Sequence, residues 1–146
     1  FGIITSYFKN KVILPLYFVT FSLIGTIVSV NFLVVPFSEL IISLSIIIAG
    51  LTSLYEKKIN IYFPIILALG GGFFHGYAFG QSVVGIEPSP LIAYLIGIAL
   101  IGFVLIFGSS FLITKYYHLT LKPRFVGAIF TGVGLTYFIE NVEALI

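Results

Sequence analysis

Long apolar stretches separated by short charged turns constrain this chain more than any other feature. It carries only seven basic and five acidic side chains in 146 residues, 8% charged against 60% hydrophobic. A water-soluble domain devotes about 25% of its residues to charge, because its surface has to face water. A chain this poor in charge cannot cover a water-exposed globule, so its outer surface is built for lipid. About 20 mostly apolar residues cross the roughly 30 Å hydrocarbon core of a bilayer as a helix. The stretches at about 12–33, 37–55, 61–80, 91–114 and 125–139 supply five such spans. Phe1 to Phe8 reads as the tail of an earlier helix. The expected fold is all-α, a single multi-pass transmembrane helix bundle over 1–146 with no room for a soluble domain.

A membrane β-barrel is the competing architecture, and its strands alternate apolar and polar residues over about ten positions. The run Ile41-Ile42-Ser43-Leu44-Ser45-Ile46-Ile47-Ile48 does not alternate. The abundant Ile, Val and Phe would weaken helices in water. In lipid the backbone must bond to itself, and that requirement overrides propensity.

The basic residues fall into three groups: Lys9 and Lys11; Lys57 and Lys58; Lys115, Lys122 and Arg124. With five spans, all three groups lie on one side, and the connections at about 34–38 and 80–90 contain no Lys or Arg. The positive-inside rule then turns the basic loops to the cytoplasm, or to the stroma in a plastid. Glu39, Glu87, Glu140 and Glu143 gather at the opposite face. Tyr116, Tyr117 and His118 read as headgroup-level residues in a basic loop. The expected location is a bacterial inner membrane or a cyanobacterial or plastid membrane, the thylakoid included.

Some chemistry is excluded. No cysteine is present, so disulfides and thiol catalysis are absent. A net charge of +2 does not point to nucleic acid. No Walker, Rossmann or nucleophile-elbow pattern occurs, and no acid–base pair stands out, so no enzyme is expected. There is also no methionine, not even at position 1, and Phe1 reads as the start of a processed or partial chain.

Gly70 to Gln81 is the informative segment. Gly72, Gly76 and Gly80 recur every four residues and share one helix face, where small residues let another membrane helix approach closely. Gly127, Thr131 and Gly134 form a similar packing face on the last span. His75 is the only histidine inside a span and lies about 20 Å from the cytoplasmic start of its helix. An ionisable side chain at that depth needs a partner and marks a candidate functional site. Neutral imidazole is the commonest metal ligand, so the candidate metal residues are His75, Glu39 at the outer mouth of the second span and Glu87 in the outer loop. The alternatives for the same residues are a histidine bonded to a neighbouring helix, an interfacial helix cap at Glu39 and a solvated Glu87.

The run Phe74-His75-Gly76-Tyr77-Ala78-Phe79-Gly80, followed by Val84 to Gly97 with its Glu87-Pro88-Ser89-Pro90, resembles the HupE/UreJ family, most closely its cyanobacterial-type members. Leu14-Pro15-Leu16-Tyr17-Phe18-Val19 and Glu39 to Ser45 are similar to that family's second and third spans. The resemblance implies a small membrane protein associated with nickel or cobalt uptake, the metal being the transported ion. It also implies an earlier helix with a His-rich, Asp-His metal motif, which this chain lacks; Phe1-Gly2-Ile3 resembles the stretch just after it. The family's second histidine stands here as Phe79, and its following acidic residue as Gln81. A permease is the leading expectation, with membrane lipids and a divalent ion as partners. The alternative is a non-catalytic accessory subunit of a larger membrane complex, photosynthetic rather than respiratory. In that role the small-residue faces would pack on other subunits, with lipid or chlorophyll contact, and His75 would ligate a pigment magnesium or bond to backbone.

Overall fold

The computed structural model describes residues 1–31, 35–54, 59–116 and 123–145. Regular structure among them is entirely helical: α1 (Gly2–Ser6), α2 (Ile13–Asn31), α3 (Ser38–Leu54), α4 (Tyr62–Gln81), α5 (Pro88–Tyr116) and α6 (Pro123–Glu143). Four of these, α2, α4, α5 and α6, are long and apolar enough to cross a membrane. The 17 residues of α3 extend only about 25 Å at 1.5 Å per residue. Lys57, Lys58, Tyr117, His118 and Lys122 lie outside the described residues.

Proline placement accounts for the helix starts. Pro15 and Pro64 stand in the first turns of α2 and α4, where a missing N–H breaks no helical bond. The start of α5 lies at Pro88, three residues before the predicted position. Pro88 and Pro90 both fit its first turn, and Leu91 N donates to the Glu87 carbonyl at 3.1 Å. α6 runs four residues beyond its predicted end, to Glu143. The Asn141 amide donates to the Tyr137 carbonyl at 2.8 Å, so a polar turn continues the helix past the apolar span.

Burial is inverted relative to a soluble domain. The buried residues of α2 include Ser22, Gly25, Thr26 and Ser29, and those of α3 include Ser43, Ser45, Gly50, Thr52 and Ser53. Thr26 is 0% exposed, whereas Ile66 is 68% exposed. Lipid is as apolar as leucine, so helices associate by close backbone approach at small residues, and the large aliphatic side chains face outward. On α3 two buried hydroxyls return to their own helix: Thr52 donates to the Ile48 carbonyl at 2.6 Å and Ser53 to Ala49 at 2.8 Å.

Two tight pairs organise the bundle. α2 and α4 run parallel, with Gly72 against Phe18, Gly76 against Ser22, and Gly80 against Thr26 and Ser29. Gly25 of α2 returns the contact against the backbone of Phe73 and Tyr77. The Thr26 hydroxyl lies 2.9 Å from both the Ser22 and the Gly76 carbonyls, and so links the two helices. α3 and α6 run antiparallel, with Gly127 against Gly50 and Ser53, Thr131 against Gly50, and Gly134 against Ile47. α3 packs on α4 to join the pairs, and α5 packs on α1 and α2.

The charge asymmetry becomes a spatial one. Lys11 Nζ donates to Thr114 Oγ1 at 2.6 Å, and Arg124 Nε lies 3.4 Å from the Leu54 carbonyl. The start of α2, the end of α3, the end of α5 and the start of α6 therefore share one end of the bundle. Glu39 and Gln81 line a cleft at the other end. A membrane-sidedness test is direct because the chain has no cysteine. Cysteines at the exposed positions Lys9 and Ser89 are expected to react with an impermeant maleimide from opposite faces, Lys9→Cys from the cytoplasmic or stromal side. Reaction of both from one face would overturn the five-span topology.

Candidate functional site

His75 sits on α4, one position before Gly76, half-buried where α4 meets α3. The glycine face draws α4 onto α2 and turns the neighbouring face, with Gly71 and His75, toward α3. His75 Nε2 lies 3.3 Å from Ser45 Oγ. The Ser45 hydroxyl already donates to the Ile42 carbonyl at 2.7 Å. Its one proton being committed there, Ser45 can only accept, from Nε2–H. In that tautomer Nδ1 carries the lone pair, which is the atom a metal would take. The Phe18 ring lies 5.8 Å from the imidazole centroid, and Phe1 packs on Phe18 at 4.8 Å. The histidine thus has Ser45 as its hydroxyl partner, the Phe18 ring beside it, and a share in a cavity that Ser53 and Ser109 also line.

Glu39 is exposed in the first turn of α3. Because α3 and α4 are antiparallel and Ser45 faces His75, the residue six positions before Ser45 is brought level with the one six positions after His75. Glu39 accordingly shares its cleft with Gln81, and with Ser38 and Asn141. Six residues of helix place that cleft about 9 Å outward of His75. Two polar stations therefore stand along the α3–α4 seam. Glu87 is exposed just before α5 and lines neither the cleft nor the cavity beside His75. His75, Glu39 and Glu87 do not converge, and among the described residues no three His, Cys, Asp or Glu side chains are grouped to hold a metal ion.

Ser45 and Asn141 were not legible as site residues. Ser45 is one of several serines in an apolar run, and only the antiparallel register selects it. Asn141 lies beyond the last apolar stretch, and its proximity to Glu39 follows from the α3–α6 packing. The α2 counterpart of the glycine face did leave a signal: Ser22, Gly25, Thr26 and Ser29 recur at the i, i+3, i+4, i+7 spacing of one helix face.

Tyr77 sets the frame around these stations. It is 1% exposed, and its hydroxyl accepts the Val35 N–H at 2.7 Å, tying the α2–α3 turn to α4. In that turn Phe37 takes a left-handed φ of 63°, unusual for a bulky residue, and its carbonyl accepts the Ile41 N–H in the first turn of α3. The turn thereby delivers Glu39 to that cleft.

A family model described as HupE / UreJ protein matches residues 1–137. Comparison with curated proteins and with solved structures found no significant match. The family is of transporter type and is linked to nickel and cobalt handling. Since the match takes in α1 to α5 and most of α6, His75 and the glycine-packed helix pair included, this integral membrane chain belongs to the HupE/UreJ family.

Proposed function

We infer that the protein is a permease for nickel or cobalt, in which His75 ligates the ion during passage and Glu39 captures it at the outer surface. The observation that carries this reading is the pair of stations on the α3–α4 seam: a cleft with Glu39, Gln81 and Asn141, and an imidazole about 9 Å deeper, braced by Ser45. An acidic residue at the mouth raises the local concentration of cations. Glu87, exposed at the same end, contributes to that field without touching the ion. An imidazole nitrogen next in line suits nickel and cobalt, for which nitrogen ligands are favoured over the oxygen-only sets of magnesium and calcium. Neither station alone has the several ligands of a tight site, and weak successive binding is what passage requires.

Uptake of radioactive nickel and cobalt and co-purification from the same membranes test the reading together. The wild type is expected to accumulate metal above vesicles lacking it. Glu39→Gln is expected to raise the half-saturating metal concentration several-fold while the amount of folded protein is unchanged. Wild-type vesicles that take up no metal, with the chain recovered in a large complex, would instead establish the accessory-subunit role.

A further inference from the structure

His75 lines a second space besides the seam it shares with Ser45. A cavity of about 440 Å³ adjoins the imidazole, and it has no lining residue in common with the cleft that holds Glu39. From the level of Ser45 the cavity follows α3 past Ala49 to Ser53, eight residues or about 12 Å further in. Ser53 precedes Leu54, the last residue of α3, whose carbonyl meets Arg124 at the basic end of the bundle. On α5 the wall runs through Ser109 to Ile113, next to the Thr114 that holds Lys11 at that same end. The cavity therefore covers the depth from His75 to the basic end.

The polar groups in its wall suit a cation and the water around it. Ser45, Ser53 and Ser109 each donate their one proton to a carbonyl of their own helix: Ile42 at 2.7 Å, Ala49 at 2.8 Å and Leu105 at 2.6 Å. Each hydroxyl is left with lone pairs alone to offer. Water hydrogens or a cation can use them, whereas an anion finds no donor there. Among the described residues of the wall no Lys, Arg, Asp or Glu occurs, so no fixed charge repels the ion or holds it fast. A divalent ion with six waters needs about 180 Å³ at about 30 Å³ per water, which the cavity can hold. An ion that keeps its shell needs few protein ligands, and weak contacts favour release.

On the permease reading, we propose that this cavity is the inner vestibule of the metal path: a hydrated nickel or cobalt ion leaves His75 into it and passes the Ser109 and Ser53 hydroxyls toward the basic end. The separation of cavity and cleft gives the path a direction in this conformation. His75 opens to the inner space and not to the cleft, and on the outer side Tyr77, 1% exposed, stands on α4 between His75 and Gln81. A lipid chain would fit the aliphatic parts of the wall but would leave the imidazole and the hydroxyl lone pairs facing hydrocarbon.

The chain has no cysteine, so single cysteines report on the cavity directly. Ala49→Cys and Ser109→Cys line it from two helices, and Leu100→Cys, at a position 62% exposed on α5, marks the lipid face. In sealed vesicles an impermeant, positively charged thiosulfonate is expected to modify both cavity cysteines from the face that modifies Lys9→Cys. Their rate should exceed that of Leu100→Cys at least about tenfold, because the reactive thiolate forms only where water reaches it. Normalised to Lys9→Cys, a negatively charged reagent of the same size should react several-fold more slowly. Modification of Ala49→Cys should also stop nickel uptake, by filling the path. Either cavity variant carries the accessibility test should the other fail to fold. Cavity cysteines as unreactive as Leu100→Cys would mean that a lipid chain fills the space, and reaction only from the face of Ser89→Cys would reverse its direction; both overturn the vestibule. Equal rates for the two reagents overturn its preference for cations. Uptake that survives full modification of Ala49→Cys puts the path elsewhere. An unreactive cavity in vesicles that accumulate nickel sinks the vestibule alone, whereas a reactive cavity in a chain that takes up no metal sinks the permease, and the vestibule with it.

Discussion

Gly76→Leu is expected to abolish recovery of folded protein in detergent, while Ile66→Leu on the same helix leaves the melting temperature essentially unchanged. At Gly76 an added Cβ would fall inside the backbone carbonyl of Ser22, and the next nearest atoms are also backbone. No rotamer change can relieve a clash with main chain, so α2 and α4 would have to separate. Separation also removes the contacts at Gly72 and Gly80 and the link from Thr26 to the Gly76 carbonyl. The cost therefore exceeds the about 1–3 kcal/mol typical of overpacking in a core that can adjust its side chains. Ile66 is 68% exposed, and a substitution there stays within about 0.5 kcal/mol. Thermal melts of both variants, monitored by size-exclusion fluorescence, decide the matter. Matching melting temperatures would mean that the glycine face is not what holds these helices together.

His75→Ala is expected to reduce nickel and cobalt uptake to background while leaving the protein folded. The imidazole is half-buried and its bond to Ser45 is long, at 3.3 Å, so its loss costs the fold on the order of 1 kcal/mol or less. Removal of the imidazole takes away the ligand that a metal meets after leaving the Glu39 cleft. Ser45→Ala discriminates further, because it keeps the ligand and removes the group that orients it. Loss of such an orienting partner usually weakens metal binding about 10–100-fold, so uptake should persist with a raised half-saturating concentration. Undiminished uptake in His75→Ala would remove the histidine from the path. Uptake lost in Ser45→Ala as completely as in His75→Ala would indicate a structural seam rather than a ligand.

Membrane helices were readable because their signal is a local average. The absence of charge over about 20 residues is the same whichever neighbours a helix has, and Pro15, Pro64 and Pro88 mark starts for reasons internal to the chain. The ends at Tyr116 and Glu143 were less legible, since a polar turn continues a helix as long as its backbone finds partners, as the Asn141 amide does. The sequence made the last span, about 125–139, the shortest of the five, whereas in the structure α6 has 21 residues and α3 only 17, and the role of α3 as the helix joining both tight pairs was not legible either.

The candidate site divides in the same way. His75 stands out in sequence as an ionisable group within an apolar span, and Glu39 as an acid at a span's edge. Their separation by about 9 Å along the seam could not be read there, because it depends on which residues of α3 and α4 lie level. Bringing Glu39 to His75 directly would require sliding α3 by about 1.7 turns. The Ser45–His75 bond and the close contacts of Gly50, Gly127 and Gly134 between α3 and α6 oppose that shift.

The sequence by itself determined that the chain lives in lipid, that it is helical, and that one helix carries a close-packing glycine face. Each of these is set by composition or by spacing within a single helix. Only the tertiary structure decided that α2 is the partner of that face, that Ser45 braces His75, and that Glu39 joins Gln81 and Asn141. Those are relations between helices. In a bilayer no difference in hydrophobicity distinguishes one apolar face from another, so pairing is settled by shape, by how closely two backbones can approach, and by where a buried hydroxyl finds its acceptor.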